Sequence, residues 1–175
     1  MKEMMRFGFI LSLICAVAAA LLAGMNSLTK TRIIAQARAE EENSLKEVVP
    51  EATHFEAVKS GNDTLYYKAH DKGGKLIGVA FKASGKGYSS TIETMVGARR
   101  DGTITAIKIL SQNETPGLGA RVSENNFTGQ FNNKDIQGLS AVQAITGASI
   151  SSKAVIDSVK KKAEEIQALI KDEPR

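Results

Sequence analysis

The sequence predicts an α+β domain, an antiparallel sheet with flanking helices, carried behind one N-terminal transmembrane helix. Three observations predict it. Residues 7–28 hold no charged side chain and are dominated by Leu, Ile, Ala and Val. Between Thr53 and Leu110, short β-rich stretches are separated by turns of Gly, Asn and Asp, the pattern of consecutive hairpins. From Ser151 to Lys171, the residues Val155, Val159, Lys162, Ile166 and Leu169 fall on one helical stripe, with Ala163 and Ile170 beside it. With 175 residues and 42% apolar content, the chain has material for one core rather than two.

A bilayer core asks for about 20 apolar residues in a helix, and Phe7 to Leu28 supplies them. A cleaved secretory signal is the rival reading, because Lys2 and Arg6 form a basic leader and Ala16-Val17-Ala18 a small-residue cleavage site. The apolar run continues past Ala18 through Leu21, Leu22 and Met25, which favours an uncleaved anchor over residues 1–29. Cys15 is the sole cysteine, so no intrachain disulfide or cysteine-built metal site exists, and Leu13 and Ile14 ahead of it are too large for a lipoprotein signal. Lys2 and Arg6 on one side face Lys30, Arg32 and Arg38 on the other, so flanking charge does not choose an orientation.

Beyond the anchor, Ile34, Ala37, Glu41, Leu45 and Val48 keep helical spacing until Pro50 ends it, a stalk helix over residues 30–50 ahead of a domain over 51–175. Strands are expected at Thr53–Lys59 and Thr64–His70 around the turn Ser60-Gly61-Asn62-Asp63, and at Lys75–Lys82 after Asp71-Lys72-Gly73-Gly74. A Gly-rich segment, Ser84-Gly85-Lys86-Gly87-Tyr88, precedes two more strands, Thr91–Ala98 and Thr103–Leu110, turned at Asp101-Gly102. Residues 112–140 read as a long irregular stretch with a helical turn near Ser123–Phe127, the kind of connection that often carries function. Lys171 to Arg175 read as disordered.

The net charge of +4 is mild, and the basic residues are scattered apart from Lys160-Lys161-Lys162, which Glu164 and Glu165 follow. That excludes the concentrated basic face of a nucleic-acid binder. His54 and His70 lack ligand spacing. No acid–base pair, nucleophilic triad or Walker loop is present.

Three segments stand out. In Ala144-Ile145-Thr146-Gly147-Ala148-Ser149-Ile150-Ser151-Ser152, hydroxyls crowd a small-residue loop where the last helix begins. Ser151 or Ser152 can serve as an ordinary N-cap, and the same helix start is a seat for a phosphate. In Glu114-Thr115-Pro116-Gly117-Leu118-Gly119, a rigid Pro and two glycines let a backbone approach a ligand closely, with Leu118 against a flat ring and Thr115 or backbone N–H groups at its polar edge; a bare turn is the plainer reading. Gly85-Lys86-Gly87-Tyr88 is either a loop between strands or a place where a ligand tail passes Tyr88 and Lys86.

Taken in order, these segments resemble the FMN-binding domain shared by the G subunit of the Rnf complex and the C subunit of the sodium-pumping NADH:quinone oxidoreductase. The family pattern of a GxGY segment, an ETPGLG loop and an S/T-G-A-T/S signature maps onto Gly85–Tyr88, Glu114–Gly119 and Thr146–Ser149, and the likeness spans nearly the whole chain. It implies FMN as cofactor, joined through its phosphate to the Ser149 hydroxyl by a flavin transferase. Thr146, Gly147, Ala148, Ser151 and Ser152 then lie at the phosphate end, with Glu114, Thr115, Gly117, Leu118, Gly119, Gly87 and Tyr88 lining the remainder. Ser149 stands where the family more often has Thr, and Gln143 where it commonly has Asp.

The resemblance further implies an electron-transfer subunit of a membrane-bound, ion-translocating ferredoxin:NAD oxidoreductase. It would be a single-pass protein of the cell membrane with its soluble domain on the extracytoplasmic side, working beside other membrane and redox subunits. The short soluble part points to the G subunit. The quinone-reductase C subunit, and a membrane-anchored domain that binds FMN noncovalently or only scaffolds its neighbours, are the alternatives.

Overall fold

The computed structural model describes residues 2–61 and 63–171; Asn62 of the first predicted turn and residues 172–175 of the tail read as disordered lie outside the described residues. The first helix, α1, runs from Lys2 to Val48 without a break, where the sequence suggests an anchor and a separate stalk. No proline interrupts it before Pro50, and a helix continues where nothing stops it. Among the described residues it is the one helix long and apolar enough to cross a membrane. The uncharged stretch from Phe7 to Leu28 is about 33 Å long at the helical rise, against about 30 Å of bilayer hydrocarbon. Its large apolar side chains, from Met4 to Ile34, are 43–79% exposed.

The chain separates into two compact units, residues 1–42 and 43–175. The second is built on a five-stranded antiparallel meander: β1 (His54–Ser60), β2 (Asp63–His70), β3 (Leu76–Lys86), β4 (Thr91–Arg99) and β5 (Ile104–Ser111). Each strand pairs with the next, as the turn spacing requires. The β4–β5 turn depends on Gly102, whose φ of +89° is open to glycine and strained for other residues.

Both faces of the sheet are covered. On one, Val79, Phe81, Ile92, Val96 and Ile104 pack beneath Val155, Val159, Ala163 and Ile166 of the C-terminal helix α2 (Ser149–Lys171), joined by Phe127, Phe131 and Leu139 from the irregular stretch. On the other, Ala69, Ala80 and Met95 meet Leu45, Val48 and Val49 at the end of α1. The Thr105 hydroxyl donates to the Val48 carbonyl, one of the helix-end acceptors left without an intrahelical partner.

β3 extends four residues beyond the predicted end at Lys82, and its ladder with β4 continues to Lys86↔Thr91. Glycine at 85 has a packing reason: a Cβ there would collide with the carbonyl of Ala154 on α2. The stretch after β5 turns through short helical segments at Gly119–Ser123, Asn125–Thr128, Gly129–Phe131 and Gly138–Ala141. These carry the chain alongside β5, on the face of the sheet that α2 covers, to the start of α2.

Candidate functional site

Three chain segments converge where β3 ends, β5 has just ended and α2 begins. They enclose a pocket of 430 Å³ lined by Tyr88, Glu114, Thr115, Leu118, Gly119 and the run Gly147–Ser151. That volume lies in the range of about 300–1,000 Å³ typical of small-molecule sites.

Glu114 holds the segments together. Its carboxylate is 5% exposed. One oxygen accepts the N–H groups of Ser89 (3.0 Å) and Ser90 (2.9 Å) and the Ser90 hydroxyl (3.3 Å). The other accepts the Tyr88 N–H (3.2 Å) and the Ser151 hydroxyl at 2.6 Å. Burial pushes this carboxyl upward, but the Ser151 hydroxyl and the N–H groups of Ser90, Ser89 and Tyr88 outweigh it and hold the group below the ordinary glutamate value. Two glycines leave room for it. A Cβ on Gly87 would come to 2.6 Å from one carboxylate oxygen, and a Cβ on Gly119 to 2.6 Å from the other and 2.7 Å from the Ser151 hydroxyl.

Helix α2 starts two residues before its predicted first residue, Ser151. Gly147 turns the chain at φ +82°, Ala148 donates to the Ile145 carbonyl, and the Ala148 carbonyl accepts the first helical bond from Ser152 N–H at 2.9 Å. Ala148 is therefore the N-cap and Ser149 the first helical residue. Neither Ser151 nor Ser152 caps the helix, because each hydroxyl is committed elsewhere: Ser151 donates to Glu114, and Ser152 accepts from Ile145 N–H at 3.0 Å. The N–H groups of Ser149, Ile150 and Ser151 precede the first helical donor, Ser152 N–H, and so have no partner within the helix, while Ser149 itself is exposed.

Nine of the predicted residues line the pocket, and Ile150 joins them. Its place between two serines at a helix start gave no apolar pattern by which to find it. Gly87, Gly117, Thr146 and Ser152 sit in the same segments without lining the cavity. Gly87 makes room for Glu114, and Ser152 ties the preceding loop to the helix. Large side chains at the mouth are left open, Tyr88 at 73%, Ile150 at 56% and Leu118 at 48%. Gln143 is exposed, and its backbone is gripped by the Gln130 side chain, which accepts from Gln143 N–H at 2.9 Å and donates to its carbonyl at 3.4 Å. The loop geometry there comes from Gln130, so an Asp-to-Gln difference at 143 leaves it intact.

The residues fit a flavin mononucleotide. The pocket has an apolar mouth for a flat ring, and at one end a hydroxyl on a helix start whose N–H groups favour a phosphate. Comparison with known proteins agrees. The FMN-binding domain family matches residues 87–164, and the RnfG N-terminal region matches residues 1–48. The chain is 34% identical to the G subunit of the proton-translocating ferredoxin:NAD(+) oxidoreductase complex of Clostridium ljungdahlii, covering 89% of this chain and 88% of that protein. It is also 34% identical to the G subunit of the ion-translocating oxidoreductase complex of Methanosarcina acetivorans, over 90% of this chain and 92% of the relative. The crystal structure of the C subunit of the Na(+)-translocating NADH-quinone reductase from Parabacteroides distasonis shares the fold, with a TM-score of 0.50 and 21% identity over 63% of each chain.

Proposed function

This chain belongs to the G-subunit family of ion-translocating oxidoreductase complexes, with FMN as its cofactor, and from that premise we propose that it is an electron-transfer subunit of an Rnf complex whose FMN is esterified to Ser149. The observation that carries the proposal is the Ser149 hydroxyl, exposed on the first residue of α2 at the wall of the 430 Å³ pocket.

In the attachment step, a flavin transferase brings a flavin donor whose phosphate is held in an anhydride. The Ser149 Oγ–P bond forms as the bond from phosphorus to the leaving group breaks, and the hydroxyl proton passes to a base. The product carries FMN less one water. The N–H groups of Ser149, Ile150 and Ser151 and the positive end of a 23-residue helix would meet its remaining phosphate charge.

When bound, FMN supplies the electron chemistry. This chain's own residues do the holding. Tyr88, Leu118 and Ile150 offer apolar surface for a ring at the pocket mouth. Glu114 fixes the loop of residues 88–90 and the first turn of α2 in one arrangement. Residues 1–29 serve as the anchor and 30–50 as the stalk, with the domain on the extracytoplasmic side. A covalent tether suits that side, because FMN is made in the cytoplasm and a dissociating cofactor would be lost.

The test is Ser149→Ala, coexpressed with a flavin transferase. Wild-type protein is expected to keep flavin fluorescence through denaturing electrophoresis and to weigh its polypeptide plus FMN less one water; the variant is expected to be dark. A dark wild-type band at the unmodified mass refutes the ester and leaves noncovalent binding.

A further inference from the structure

We propose that the open edge of β3 and the lysine-bearing stripe of α2 beside it form a docking groove that takes an extended, acidic segment of a neighbouring protein of the complex as an added strand. The proposal rests on the electron-transfer reading above for its partner, and on the sheet for its site. β2 accompanies β3 only as far as Tyr67↔Ala80, whereas β4 pairs with β3 out to Lys86↔Thr91. The Gly87 N–H donates to the Ser90 carbonyl at 2.8 Å, which fixes the alternation along the ladder. Phe81, Ala83 and Gly85 exchange bonds with β4, and the backbone groups of Ser84 and Lys86 point the other way. Among the described residues, no strand pairs with them on that side.

Beside this edge is a groove of 280 Å³ between Lys82 and Ser84 of β3 and Ser158, Lys161, Lys162 and Glu165 of α2. The four helix residues fall at i, i+3, i+4 and i+7, a single stripe facing the edge. Lys162 pairs with Glu165 at 3.0 Å, so the groove keeps an excess of positive charge, to which Lys86 adds. Lysines on an open strand edge deter pairing with a second copy of the same edge, because they would then stand opposite each other. A negatively charged strand meets no such repulsion, and strand addition satisfies the outward N–H and C=O groups. Lys86 lies two residues before Tyr88 of the pocket wall, so a segment bound along this edge ends beside the cofactor pocket. That is where a protein exchanging electrons with this one must sit.

Hydrogen exchange of the full chain tests the proposal, alone in detergent and within the purified complex. The Ser84 and Lys86 amides are expected to exchange freely in the isolated chain and at least about tenfold more slowly in the complex. The Gly85 amide, bonded to β4, should be protected in both. Ser84→Pro removes a donor that β4 does not use, and Lys161→Glu reverses charge on the groove wall. Each is expected to lower the share of chain recovered with its complex at moderate salt while FMN per chain stays constant; if Ser84→Pro loses FMN, Lys161→Glu decides. Equal exchange in both states, protection of Ser84 already present in the isolated chain, or wild-type recovery of Lys161→Glu overturns the groove. A wild-type chain that brings no complex with it overturns the electron-transfer reading, and this proposal with it.

Discussion

Replacing Glu114 tests whether one carboxylate holds the site together. Five donors converge on it: three backbone N–H groups, the Ser90 hydroxyl and the Ser151 hydroxyl. Hydrogen bonds to a charged group contribute about 1.5–3 kcal/mol each before the cost of burying that charge is set against them. Glu114→Ala removes all five acceptor contacts, and water entering through the open pocket recovers some, leaving a net loss of about 3–5 kcal/mol. Glu114→Gln keeps the oxygen that serves Ser89 and Ser90 and puts an NH₂ where Tyr88 N–H and Ser151 donate. The Ser151 hydroxyl can turn to accept, so only the 3.2 Å Tyr88 bond and the charge are lost, about 1–2 kcal/mol.

Amide exchange at Ser89 and Ser90 reads this directly. With about 1.4 kcal/mol per factor of ten, the Gln variant should exchange about tenfold faster and the Ala variant at least a hundredfold faster, with melting temperatures falling in the same order. Acid adds a sign. The native carboxyl is held below the ordinary glutamate value, so its contribution is complete above that value and is lost as pH falls through the lowered native one. The stability gap between wild type and Glu114→Gln should therefore close on acidification. Glu114→Ala protein with wild-type exchange at Ser89 and Ser90 refutes the assignment.

Other expectations follow from packing. Gly85→Ala drives a methyl into the Ala154 backbone carbonyl, so neither partner can yield by turning a side chain; about 1–3 kcal/mol of destabilisation is expected in urea unfolding. Phe127→Ala vacates a fully enclosed site in edge-to-face contact with Phe131, ring centroids 5.5 Å apart, for a loss of about 3–5 kcal/mol in thermal melting. Ser152→Ala strips the acceptor from Ile145 N–H; about 1–2 kcal/mol and faster exchange of that amide are expected.

The sheet was legible because its turns are written locally. Ser60-Gly61, Gly73-Gly74 and Asp101-Gly102 separate stretches whose predicted strand ends fall within two residues of the observed ones, apart from the end of β3. Glycine and lysine weaken any local strand signal, so the sequence pattern ends that strand at Lys82. Gly85 stays in the sheet by pairing with Ile92 of β4, and it must be glycine because of the Ala154 carbonyl, 69 residues away in sequence. The sequence places the helix start at Ser151 rather than Ser149 for a similar reason. A serine near a helix start reads as a cap, and only the folded chain brings Glu114, 37 residues earlier, to claim the Ser151 hydroxyl. The pocket's three segments were recognisable as motifs, but the atom that gathers them was not. Glu114 reads as one more ligand-facing residue until its five donors are counted.

The seat of Val48 under β5 bears on how this protein can be cut. Leu45, Val48 and Val49 are sealed against Ala80 and Met95, and the Thr105 hydroxyl reaches the Val48 carbonyl from the neighbouring strand. A fragment trimmed to begin after Pro50 would bare that side of the meander to water and invite self-association. A soluble version made for spectroscopy should start at or before Asn43, retaining the last turns of a helix whose amino acids otherwise read as mere tether.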